Sequence, residues 1–264
     1  MIILDITESN IVLDRFMERR QFYLEKFKKN QDKVIIFDQR VVYKLKKVLR
    51  VKKGEIIFVY WDNGYIYKVK ILKVAEDKIV AEILKKEKPL FSLKKKIILC
   101  PSLLKHPKRF EFILEKGTEV GVNSFIPVIA DRSVKRSVSG NQRSRWKKIV
   151  IEAADQAKRV TVPVIEKEMI FKDLLDELQH KTVQKIILTT NKQLNQNILK
   201  VIKNQPKEIY ILIGPEGDWS NKEIDLAKKY GWNFASLGDF IFKSETAAII
   251  SAYLVSVLSP RNAK

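Results

Sequence analysis

The 264-residue chain has one cysteine, Cys100, and two histidines, His106 and His180. A single thiol excludes an internal disulfide framework and a cysteine-built metal cluster, and suits a reducing compartment. Two histidines cannot furnish a His-rich metal centre, so no metal site is expected. Long apolar runs are missing too: the least polar stretch, Ala247–Ser259, falls short of the ~20 residues that a membrane span needs. The opening MIILDITESN carries Asp5 and Glu8 with no basic segment, unlike a secretory signal. No glycine-rich loop ends in Lys-Ser or Lys-Thr, which disfavours a P-loop nucleotidase, and neither histidine stands in a Ser–His–Asp context. These absences predict a soluble, cytoplasmic protein with no membrane partner.

Positive charge is what the chain has in excess. Lys and Arg number 51 against 31 Asp and Glu, a net charge of +20, while 45% hydrophobic residues supply ample core. Lysine-rich composition throughout would give the same total. Two runs go further, because they contain no acid at all. Arg40–Lys53 holds Arg40, Lys44, Lys46, Lys47, Arg50, Lys52 and Lys53; Arg132–Lys148 holds Arg132, Lys135, Arg136, Arg143, Arg145, Lys147 and Lys148. Such stripes neutralise phosphate backbones, so a nucleic-acid partner is expected.

Patterning divides the chain in two. In IIFVYWDNGYIYKVKILKV (Ile56–Val74), β-branched and aromatic runs flank Asp62-Asn63-Gly64, a hairpin signal. A further strand is expected at Lys78–Leu84, followed by a linker over Lys85–Lys96. Residues 1–88 therefore read as a small β-barrel-like domain. From Lys96 onward strands alternate with helices: KIILCPS, a helix over His106–Val120, a strand over Ser124–Ala130, and a helix over Arg143–Lys158. A helix at Phe171–Leu178, a strand at Lys185–Thr190 and a helix near Leu194–Lys203 follow. The strand EIYILI, a helix over Asn221–Tyr230, the strand NFASL and a helix over Glu245–Leu258 complete the series. Repeated βα units predict a mostly parallel sheet covered by helices on both faces. Ligands in such sheets sit beyond the carboxyl ends of the strands, which singles out the loops after Thr190, Ile213 and Leu237.

Two of those loops are informative. Ile211–Gly231 runs from a strand into Gly214-Pro215-Glu216-Gly217, where Glu216 is held between proline and glycine, and Ser220 with Glu223 forms a capping box. Ser236–Ser259 runs from a strand through Leu237-Gly238 and Lys243 to a helix capped by Ser244, with Glu245 in the first turn.

Together, GPEG with its capped helix and LGDFIFKSETAA opening the last helix resemble the RsmE-type methyltransferases of the SPOUT superfamily. Upstream, KRFEFILEKGTEVGVNSFIPVIADRSV and RWKKIVIEAADQAKRVTVPVI resemble further parts of that family, and VLRVKKGE and WDNG resemble its N-terminal PUA-like barrel, so the resemblance spans nearly the whole chain. Asp218 stands where the family usually has a second glycine, Gly238-Asp239-Phe240 where it has Gly-Pro-Arg, Lys243 where it has arginine, and Lys44 where it commonly has histidine.

The resemblance implies S-adenosylmethionine-dependent methylation of N3 of a uridine in 16S ribosomal RNA, with the RNA or the small subunit as partner. It implies a SPOUT domain over 89–264 with a parallel sheet, helices on both faces and a trefoil knot, a PUA-like barrel over 1–88, and a homodimer. The cofactor would lie against Thr190, Ile213, Gly214, Pro215, Glu216, Gly217, Leu237, Gly238, Ile241 and Phe242. Lys243 would stabilise the developing anion, with Glu216 or Glu245 as positioning group or base. Arg40, Lys44, Lys47, Arg50, Arg132, Lys135, Arg136 and Arg159 are the candidate RNA contacts. Two other readings share much of this pattern: a SPOUT enzyme acting at another RNA position, and a non-catalytic ribosome-assembly factor that binds RNA.

Overall fold

Asp62-Asn63-Gly64 turns the chain, with Gly64 at φ +73°, and the flanking runs pair as an antiparallel hairpin, β4 (Ile56–Tyr60) with β5 (Ile66–Val74). In the computed structural model the described residues are 19–89, 95–191, 193–194, 196–203 and 206–258. The first 18 residues of the expected N-terminal domain lie outside them. So does 90–94 of the expected linker, whereas Lys85–Glu87 extend the strand β6 (Ile79–Glu87).

The chain divides into two units. One comprises the chain up to Pro89 with Asp155–Thr161; the other comprises Leu90–Ala154 and everything from Val162. A linear boundary at residue 88 misses that return segment. In the first unit β1 (Gln21–Tyr23), β2 (Phe27–Lys29) and β3 (Lys33–Ile36) join the hairpin and β6 in a curled sheet of order β1-β4-β5-β6-β3-β2. Alternation puts Val34, Ile36, Ile57, Val59, Val69, Ile71, Ile79 and Ala81 in a sealed core. Among the described residues no ladder joins β1 to β2, so the sheet is a half-barrel rather than a closed barrel.

The basic run Arg40–Lys53, expected within a β domain, begins as a helix. Asp38 caps α1 (Gln39–Tyr43), its carboxylate accepting the Arg40 and Val41 amides. The helix widens over Lys44–Val48, where the Leu49 amide reaches back five residues to the Lys44 carbonyl. Val41, Val42 and Leu45 face the core and the lysines face out. The return segment supplies the buried Asp155, which accepts from the Tyr23 amide (2.8 Å), the Tyr60 hydroxyl (3.0 Å) and Arg40 (3.2 Å).

The second unit is built on a seven-stranded parallel sheet. Its strands are β7 (Lys96–Pro101), β8 (Ser124–Phe125), β10 (Val164–Ile165), β12 (Gln184–Leu188), β13 (Gln196–Asn197), β14 (Glu208–Ile213) and β15 (Asn233–Ser236), in the order β10-β8-β7-β14-β12-β15-β13. Alternate residues separate to two cores. Ile97, Leu99, Ile209 and Ile211 pack with α2 (Pro107–Glu119), α3 (Gly140–Gln156) and α7 (Ser244–Leu258). Ile98, Cys100, Ile187 and Leu212 pack with α4 (Phe171–Leu178) and α6 (Asn221–Lys229). Helices on both faces follow from that period of two. Phe110 of α2 stacks on Trp146 of α3 with ring centroids 4.5 Å apart. A Cβ on Gly117 would stand 2.8 Å from the Phe125 ring, so only glycine lets α2 approach β8 this closely.

Three expectations need correction. The strand over Ser124–Ala130 is two short strands, β8 and β9 (Val128–Ile129), split at Pro127, which has no N–H for a ladder; β9 pairs with β11 (Met169–Ile170) in a separate sheet. The helix near Leu194–Lys203 shrinks to α5 (Ile198–Val201), because Asn197 caps it by accepting the Leu199 amide. Ser244 is the first residue of α7 rather than its cap. Among the described residues no helix is long and apolar enough to cross a membrane.

Candidate active site

At the carboxyl ends of β12, β14 and β15 the strands give way to loops that enclose a pocket of about 910 Å³ within the second unit. Thr190, Ile213, Gly214, Pro215, Glu216, Gly217, Leu237, Gly238, Ile241 and Phe242 all line it, so every residue expected to hold the cofactor converges there. Lys243 lines it as well. Glu245 stands behind the rim, in the first turn of α7. The strip after Leu237 is open: Gly238 takes φ +123°, and Phe240 and Ile241 are 83% and 80% exposed.

The Gly214–Gly217 loop is held from several sides. The Asp218 amide closes a turn onto the Pro215 carbonyl at 3.0 Å. Ser220 and Glu223 form the expected capping box of α6. The other oxygen of the buried Glu223 accepts the Asp131 amide at 2.9 Å, while the Ser220 hydroxyl donates to Asp131 at 2.6 Å. Arg132 donates to the Gly217 carbonyl at 2.5 Å. The Trp219 indole N–H reaches the Leu188 carbonyl at 2.8 Å. Backbone groups at the pocket wall are thus fixed before any ligand arrives, the condition for binding without reorganisation.

Sequence reasoning missed Arg109. Its Nε is 3.7 Å from Glu245 and one of its terminal nitrogens is 4.0 Å from Glu216, whose carboxylate also accepts the Lys105 amide at 3.2 Å. Arg109 opens α2, after β7, which lies beside β14 in the sheet. The rule that singled out the other three loops applies equally to this one, and that was the available signal.

The candidate RNA contacts differ in how free their charges are. In the first unit Lys47 and Arg50 are exposed, and the Lys44 ammonium lies 5.6 Å from the Phe22 ring centroid. Arg40 is committed elsewhere: its guanidinium donates to Asp155 and, at 2.6 Å, to the Tyr23 carbonyl, which makes it a structural tie of the unit rather than a free phosphate ligand. Arg159 is only partly exposed, and burial pushes its guanidinium below the ordinary range. In the second unit Arg132 is exposed but braces Gly217, Lys135 bonds Gln142, and Arg136 donates to the Asp131 carbonyl at 2.9 Å.

Residues 92–256 match the RNA methyltransferase domain family. The chain is similar to the ribosomal RNA small subunit methyltransferase E of Mesomycoplasma hyopneumoniae, 34% identical over 77% of this chain and 86% of that protein. It is also similar to the Bacillus subtilis protein of the same name, at 28% over 83% and 86%. Among solved structures, the ribosomal RNA small subunit methyltransferase E of Neisseria gonorrhoeae bound to S-adenosyl methionine superposes with a TM-score of 0.80 at 28% identity, covering 91% of this chain and 98% of that one.

Proposed function

Since the chain belongs to the RNA methyltransferase family, we propose that it transfers a methyl group from S-adenosylmethionine to 16S ribosomal RNA, at N3 of a uridine. The observation that carries this is the pocket. Nine residues from three separate loops, with Ile213 at the end of β14, line one cavity of about 910 Å³, in the size range of small-molecule sites and at the position where open α/β sheets bind nucleotides. The residues fit the cofactor: apolar walls at Ile213 and Leu237 suit an adenine ring, and the fixed loop backbones offer hydrogen-bonding groups to a ribose.

When bound, S-adenosylmethionine supplies an electrophilic methyl on a sulfonium. Transfer of that methyl to uridine N3 would require a side chain of the pocket to accept the N3 proton and a cation to stabilise the charge left on the uracil. This chain's residues position and stabilise. Lys243, exposed at the rim, places a cation where charge develops on the uracil oxygens. Glu216 accepts a proton or orients the base from the opposite loop. Glu245, 3.7 Å from Arg109, acts through that guanidinium rather than on the base directly. Phe240 and Ile241 give an unstacked base an apolar surface to lie on. Lys44, Lys47 and Arg50 on the half-barrel, read as PUA-like, with Lys135 and Arg136 on the catalytic unit, contact phosphates. The fold is read as knotted, the protein as a cytoplasmic homodimer.

Isothermal calorimetry tests the cofactor assignment. One S-adenosylmethionine per chain is expected, with binding abolished by Gly214→Val; no heat with the unaltered protein refutes it and leaves an RNA-binding assembly factor as the better reading.

A further inference from the structure

Asp218 occupies a left-handed backbone conformation, φ +56°, in a loop otherwise supplied with glycines. A side chain is strained there relative to glycine, so its retention calls for a compensating contact. The contact is to the neighbouring strand end. One carboxylate oxygen of Asp218 accepts from the Thr190 amide (3.1 Å), the Thr190 hydroxyl (2.6 Å) and the Thr189 hydroxyl (3.4 Å). The other accepts the Trp219 amide at 2.8 Å and sits over Gly214, where a Cβ would come within 3.3 Å of it.

Pairing of β12 with β14 ends at Ile187 and Leu212. Beyond that point no ladder holds the two segments, yet both go on to form walls of the pocket. We propose that Asp218 is a positioning residue that takes over where the ladder stops, latching the Thr190 wall to the Gly214–Gly217 wall and fixing the width of the cofactor pocket. This rests on the pocket being the S-adenosylmethionine site. The latch also sets the polarity of Thr190. In this geometry Asp218 accepts from both groups, so the Thr190 amide and hydroxyl protons are both spent on it. The hydroxyl oxygen is left as an acceptor, and it selects a donor on the ligand: an amine or a ribose hydroxyl.

The test compares Asp218→Gly, Asp218→Asn, Thr190→Val and the Asp218→Gly/Thr190→Val double variant in the full chain. In the absence of ligand, amide exchange at residues 188–191 is expected to speed up about tenfold in Asp218→Gly, with less change in Asp218→Asn, whose amide oxygen still accepts. The dissociation constant for S-adenosylmethionine should rise about tenfold in Asp218→Gly through lost preorganisation, appearing as a KM effect rather than a kcat effect. In ligand-free amide exchange, Thr190→Val should add little in the Asp218→Gly background, because the one hydroxyl bond it removes is already lost there. Unaltered exchange in Asp218→Gly, or additive effects on ligand-free exchange in the double variant, would overturn the latch. Because the exchange measurement needs no ligand, it judges the latch even if the unaltered protein fails to bind S-adenosylmethionine, which would instead overturn the functional reading.

Discussion

The Nε of Arg109 stands 3.7 Å from the Glu245 carboxylate, joining the first turn of α2 to the first turn of α7 at the pocket mouth. The same guanidinium reaches to 4.0 Å from Glu216, so one cation lies between a helix carboxylate and a loop carboxylate. Removing it leaves two anions facing a site that must stabilise negative charge. Arg109→Ala is expected to lower kcat/KM for the small ribosomal subunit at least tenfold, by analogy with the loss of a preorganised charge. Arg109→Lys should recover part of that loss. Full activity in the alanine variant would show that the pair only stitches two helices together.

Lys243 tests the division between binding and chemistry. Its side chain is exposed at the rim and, among the described residues, makes no ion pair. Lys243→Ala is expected to reduce kcat about a hundredfold, with cofactor affinity held within about twofold, and Lys243→Arg to retain most activity. A variant that loses cofactor binding in step with turnover would place Lys243 on the cofactor instead.

The Arg40–Asp155 pair makes a prediction about stability. Burial pushes the Asp155 carboxyl above its usual range, even though Arg40, the Tyr23 amide and the Tyr60 hydroxyl all favour the charged form. For a raised carboxyl, the stabilising contribution is complete below the unfolded pKa of ~3.9 and is lost as pH climbs through the folded value. Without Arg40 the folded value rises further. Arg40→Met should therefore cost about 3 kcal/mol near neutral pH, and the deficit should narrow as pH falls toward about 4. Urea titrations across that range measure it; a deficit that grows on acidification would contradict the assignment.

Lys47 and Arg50 are exposed on the half-barrel, and their contribution to RNA binding is electrostatic. Affinity for 16S RNA should fall steeply with salt, and Lys47→Ala and Arg50→Ala should each reduce the magnitude of the log–log slope by about 0.7–0.9. Arg40→Met, whose charge is committed to Asp155, should leave the slope unchanged in protein that remains folded. A flat salt response of the unaltered protein would reduce the basic runs to compositional excess.

How far the sequence was legible depended on how local each signal was. The apolar run EIYILI, the Asp62-Asn63-Gly64 turn and the Ser220–Glu223 capping box each act within a few residues, and each appears where expected. Pro127 is legible in the sequence, and its single missing N–H divides what hydrophobicity alone reads as one strand. Asp155 was illegible for the opposite reason. Its partners Tyr23, Arg40 and Tyr60 lie between 95 and 132 residues away along the chain, and no periodic pattern links them. The meeting of the three loops at one pocket is legible because loops beyond parallel strands converge by topology, whereas the Asp218–Thr190 contact needs the register at which β12 and β14 part.

The most direct test is nucleoside mass spectrometry of 16S RNA from small subunits incubated with the purified protein and methyl-labelled S-adenosylmethionine. The expected result is a single labelled nucleoside, 3-methyluridine, absent when Lys243→Ala replaces the unaltered protein at the same concentration and time. Label on a different base or position would keep the methyltransferase and contradict the uridine N3 assignment. No label in RNA, from protein that binds the cofactor, would contradict the account as a whole.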